Sequence, residues 1–160
     1  MRRKALLVLF AVVVLAVIGF YFVLPGIDQE MMKTPVVNAM NAVRDGDMKA
    51  LRACFTQTAT VDVAKPDVPV DAVIAKNRGD LESGALREQS MRFGGYTNAK
   101  YDSPTEVSAD FTVIAYVEGG DAYRRVPYEV KGHVVLEKQG FLQWKIKHIR
   151  VNEELGGIVK

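Results

Sequence analysis

Four side chains in this chain have the chemistry for proton transfer in an apolar setting: His148, Asp62, Tyr116 and Tyr128. Abstracting a proton beside a carbonyl needs a carboxylate or imidazole base and a hydroxyl that stabilises the developing oxyanion. Strict alternation puts His148 on the strand face of Trp144 and Ile146, where it would project inward beside Tyr128 or Tyr116, with Asp62 on an earlier strand. Each also has a plainer reading: a hydrogen-bonded structural histidine, or strand tyrosines whose hydroxyls reach water. They are therefore pocket candidates and no catalytic role is assigned to them. No phosphate-binding glycine loop, G-x-S-x-G elbow or serine-histidine-acid set is present. His133 and His148 lie fifteen positions apart with no cysteine or carboxylate at ligand spacing, so neither a metal site nor a cofactor is expected.

The elements that must hold these residues follow from hydrophobic period. Thr34-Pro35 reads as an N-cap with proline at the first helical position. Val36, Met40 and Val43 then form one apolar stripe, and Gly46 suits the helix end. Asp47 caps a second short helix carrying Leu51, Cys54 and Phe55. Thr58 to Ala64 reads as a short strand and Val70 to about Leu86 as a broken helix. From Met91 onward the period changes to two, in runs at 91–101, 107–117, 126–136 and 142–146. Gly94-Gly95 marks a bulge or a bend, and Glu118 to Asp121 and Lys138-Gln139-Gly140 mark turns. The fold class predicted is α+β, an antiparallel meander packed on the leading helices.

Ahead of this domain, Ala5 to Leu24 is an uninterrupted apolar run of 20 residues. At about 1.5 Å per residue it is roughly 30 Å long, enough to span a bilayer. Phe20, Tyr21 and Phe22 suit the headgroup level, and Pro25-Gly26 is expected to stop the helix. Arg2, Arg3 and Lys4 precede the run while Asp28 and Glu30 follow it, which orients the N-terminus to the cytoplasm and the domain outside it. The run is longer than a signal peptide's core and lacks a small-residue cleavage site, so an uncleaved single-pass anchor is expected. The resulting organisation is residues 1–4 cytoplasmic, 5–24 transmembrane, 25–33 linker, 34–155 domain and 156–160 tail.

Composition narrows the partners. The chain has 21 Lys and Arg against 19 Asp and Glu, and three of the positive charges stand before the apolar run. The domain is thus nearly neutral, and nucleic acid is not an expected partner. Arg124, Arg125, Lys131, Lys145 and Lys147 are expected to form a basic strip. The single cysteine, Cys54, excludes an internal disulfide and reads as a small buried hydrophobe.

The helix junction Ala42-Val-Arg-Asp-Gly-Asp-Met-Lys-Ala-Leu51, within Val36 to Phe55, and the long strands from 107 to 151 resemble the cone-fold superfamily of nuclear transport factor and ketosteroid isomerase (SnoaL-like). That resemblance implies a curved antiparallel sheet wrapped round the first helix, with a pocket at the open end of the cone. Its members include isomerases, cyclases and dehydratases as well as non-enzymatic scaffolds and dimerisation modules. The expected role is a membrane-anchored, non-enzymatic interaction module, an accessory subunit of a membrane protein complex or a homo-oligomer using its exposed sheet. The alternative is a small-molecule-binding or isomerase/cyclase-type pocket protein at the membrane surface. A pocket holding His148 or Asp62 would favour that alternative; a cone filled by Trp144, Met40 and Phe55 would count against it.

Overall fold

The computed structural model describes residues 24–62, 65–83, 90–118 and 125–152, with backbone alone for 24–28, 90, 116–118 and 125–128. The apolar run 5–24 therefore lies outside the described residues, apart from the backbone of Leu24. Among the described residues no helix is long and apolar enough to cross a membrane.

Helix α1 (Leu24–Asp45) starts ten residues before the expected cap and takes in residues 25–33, read above as a linker. Pro25 is tolerated because N–H groups in a first turn have no intrahelical partner. Pro35 is interior; it withholds one N–H from the helix ladder, and its fixed φ is otherwise helical. Met32, Val36 and Ala42 are buried, with Ala39, Met40 and Val43 packed beside them, a stripe of helical period. Gly46, at φ 71°, closes the helix: its N–H reaches Val43 O at 3.3 Å and that of Asp47 reaches Ala42 O at 2.9 Å. Asp47 then caps α2 (Met48–Ala53) by accepting from Ala50 N at 2.8 Å.

Strand β1 (Phe55–Asp62) folds back on the two-residue β2 (Val68–Pro69) and leads to α3 (Val70–Lys76) and α4 (Arg78–Glu82), which break at Asn77. The long strands are β3 (Ser90–Ser103), β4 (Glu106–Glu118), β5 (Arg125–Gly140) and β6 (Gln143–Asn152). The sheet order is β2-β1-β6-β5-β4-β3. The predicted all-antiparallel sheet is corrected in one place: β1 runs parallel to β6, so the sheet is mixed. Alternation within one strand cannot reveal that pairing, because it joins segments nearly ninety residues apart.

One face of the sheet builds the core. Val107, Ala109, Phe111 and Val113 of β4, Val134 and Leu136 of β5, Trp144 and Ile146 of β6, and Ala59 and Val61 of β1 pack with α1, α2 and α3. Leu136 and Val134 are fully buried. Trp144 and Cys54 are core residues as expected, and the Cys54 thiol donates to Ala50 O at 3.3 Å. Burial pushes that thiol's pKa up, which suits packing rather than reactivity. The register shifts between Phe93 and Gly95, at the expected bulge, and again in β6.

Candidate functional site

The β6 bulge decides where the chemistry lies. Leu136 pairs with Ile146 but Val135 pairs with His148, so Lys147 is an extra residue. A one-residue insertion moves every later side chain to the other face. Trp144 and Ile146 point into the core, whereas His148 shares a row with Ser108, Val135 and Thr60 on the outer face. This corrects the expectation that His148 projects into the cone.

Asp62 lies on the same outer face, because Ala59 and Val61 take the core side of β1. The parallel β1–β6 pairing thus brings two of the four candidates together. His148 Nε2 is 3.4 Å from Asp62 Oδ2, and His148 Nδ1 is 2.8 Å from Thr60 Oγ1. Asp67, from the β1–β2 turn, adds a second carboxylate 3.8 Å from Nδ1. Its backbone N–H donates to Asp62 Oδ1 at 2.7 Å. That bond is the main cause holding the Asp62 carboxyl below its ordinary pKa, assisted by His148 and Arg150. Asp62 and His148 are only about a fifth exposed, while Asp67 is largely open.

Tyr116 pairs with Pro127 and Tyr128 with Ala115; their side chains lie outside the described residues.

A second polar row runs beside the cluster. Asp110 of β4, His133 of β5, Arg150 of β6 and Asp62 of β1 stand in register across four neighbouring strands. His133 Nδ1 is 2.9 Å from Asp110 Oδ1, and Asn98 Nδ2 donates to Asp110 Oδ2 at 2.8 Å. The Asn98 bond, followed by the one to His133, lowers the Asp110 pKa. The expected basic strip is not uniform: Lys131 sits 3.5 Å from Glu129, and Lys147 bridges Glu106 and Glu137. Arg124 lies outside the described residues, as does the side chain of Arg125.

Thr60, Asp67, Asp110 and Arg150 were not selected from the sequence. Asp110 was findable, since strand alternation places it opposite Phe111; Arg150 was not, since alternation from Trp144 and Ile146 carries it to the core face and the Lys147 bulge alone turns it outward. Thr60 and Asp67 were not, since they matter only through the parallel pairing.

Among the described residues the core face gives acid–base chemistry no comparable footing. Trp144 and Phe55 are buried in it, with Met40 partly buried against them. A cavity of about 180 Å³ opens between α1 and the β5–β6 turn, lined by Met31, Asn38, Leu142, Trp144 and Lys145 among others. Its lining contains neither a carboxylate nor a histidine.

No protein-family model matches the chain, and no curated protein does. Solved structures do. A nuclear transport factor 2-like superfamily protein from Salmonella enterica superposes with a TM-score of 0.58 at 11% identity, covering 84% of this chain and 96% of that one. A ketosteroid isomerase-like protein from Erwinia carotovora gives 0.52 at 11% identity, covering 78% and 94%. The association domain of C. elegans CaMKII gives 0.57 at 11% identity, covering 78% and 97%. The chain therefore has the nuclear transport factor 2-like α+β fold, with a curved mixed sheet. At these identities the likeness establishes fold alone.

Proposed function

We propose that the chain is a bilayer-tethered, non-enzymatic interaction module that self-associates through the outer face of its sheet. The observation that carries this reading is that the ionisable pairs of β1, β4, β5 and β6 stand on that face, while the core face is filled by Trp144, Phe55 and Ile146. A two-fold axis along β5 at His133 reverses the row Asp110–His133–Arg150, setting each Arg150 against the partner's Asp110. The row is thus self-complementary, as an isologous dimer needs.

Its size also fits. The four long strands β3 to β6, at about 4.8 Å spacing and with at least 10 residues each at about 3.4 Å, span roughly 650 Å² in projection, close to one side of a standard interface. Residues 5–24 would hold the domain outside the cytoplasm at a membrane and raise its effective concentration there. The similar C. elegans CaMKII domain is named for association, which supports an assembly reading.

Arg150→Glu is expected to weaken self-association of the full chain in detergent roughly tenfold or more, read by mass photometry, with an unchanged circular dichroism spectrum. A monomeric wild type, or a dimer indifferent to that charge reversal, would count against the outer face.

A second reading, a small-molecule pocket protein of the isomerase or cyclase type, is favoured by the ketosteroid isomerase-like neighbour. It would have to work without His148 and Asp62 in the cone.

A further inference from the structure

Asp62, Asp67 and His148 each offer one ligand atom, and the three atoms lie within 4.8 Å of one another. The cluster joins an imidazole to two carboxylates on a half-buried footing, the mixed nitrogen and oxygen donor set that suits a borderline-soft divalent ion. Its hydrogen bonding points the same way. If His148 Nδ1 carries the hydrogen it donates to Thr60 Oγ1 at 2.8 Å, and the Nε2 lone pair then faces Asp62 Oδ2 at 3.4 Å. Two lone-pair-bearing atoms so placed call for a cation between them or a proton on Nε2.

Thr60 would then fix the tautomer from behind, the usual task of a group hydrogen-bonded to a ligating histidine. Asp62 Oδ1 is already occupied by the Asp67 N–H, which steadies the carboxylate with Oδ2 toward the ring. Two features oppose: Arg150 pairs in register with Asp62 and its charge lowers affinity for any cation, and Asp67 Oδ1 stands on the Nδ1 side of the ring, 3.8 Å from Nδ1 and 3.4 Å from Thr60 Oγ1, so its exposed side chain must turn toward Nε2 to join the ion.

We propose that Asp62, Asp67 and His148 bind one divalent transition-metal ion, with Zn²⁺ the best chemical match. The site does not depend on the self-association reading, because all three ligands come from one chain. The test is Zn²⁺ titration by isothermal calorimetry, on the full chain purified in detergent without a histidine tag. One ion per chain is expected, with affinity reduced at least ~10-fold in Asp67→Asn and in His148→Ala, and unchanged in Asp80→Asn, an exposed carboxylate of α4 away from the sheet's outer face. Asp67 is exposed, so its variant should keep the fold; a circular dichroism melt without metal checks this. Absence of Zn²⁺ binding to the wild type would overturn the proposal and leave a proton-bound Thr60–His148–Asp62 relay. Binding that survives both ligand variants, or is lost in Asp80→Asn, would overturn it by placing the ion elsewhere.

Discussion

Gly132→Ala should destabilise the domain by about 3 kcal/mol, the upper end of overpacking in a close-packed core. Gly132 sits on the core side of β5, directly opposite Phe111. A Cβ there would lie 2.4 Å from Arg150 O and 2.6 Å from both Cε1 and Cζ of Phe111. The carbonyl belongs to the β6 ladder and cannot retreat without loosening β5–β6 pairing, and the ring is 5% exposed with little room to turn. For a domain of this size the thermal midpoint should fall by roughly 10 °C. Phe111→Leu in the same chain should offset part of the loss, because two of the three close contacts are ring atoms; the pair should be less destabilised than the sum of the singles. A Gly132→Ala midpoint within about 2 °C of wild type would contradict this packing.

Arg52→Leu should cost about 2 kcal/mol by urea denaturation, because Arg52 satisfies backbone that the sheet leaves unpaired. β1 slips register between Phe55 and Thr60, so the ladder to β6 is broken there. The guanidinium fills that gap: Nη1 donates to Thr56 O at 2.8 Å and to Phe55 O at 3.4 Å, and Nη2 to Gln57 O at 3.1 Å. Nε donates to Asp71 Oδ1 at 2.6 Å, joining α2 to α3. Asp71 is about two-thirds exposed, so the ion pair itself contributes little and the carbonyl contacts dominate. Arg52→Lys should recover less than half of the loss, since an ammonium cannot fork to several carbonyls. Full recovery by Lys would show that charge, not the planar donor array, matters at this position.

Much of this fold is legible in the chain because its signals are local. Gly46 and Asp47 end one helix and cap the next through atoms three to five residues away. The alternation of Val107, Ala109, Phe111 and Val113 is the core face of β4 itself. Failures arise where a distant partner or a single inserted residue overrides the pattern. The early helix start is one, since Pro25 and Pro35 are permitted in α1 although proline usually marks a boundary. His148 is the other: its alternation with Trp144 and Ile146 is real in sequence and cancelled by one bulge residue, Lys147. Asp62 was selected for a pocket and stands beside His148 on the opposite face. Its partner Asp67 carries no sequence signal, because the β1–β6 pairing that gathers the cluster is non-local.

The outer sheet face as the working surface is tested most directly by photo-crosslinking in the membrane. A benzophenone amino acid at Ile114, on the outer face of β4, should give a crosslinked dimer of the full chain, and the same group at Lys76, exposed at the end of α3, should not. Crosslinks from Lys76 with none from Ile114 would contradict the account and return attention to the core side of the sheet.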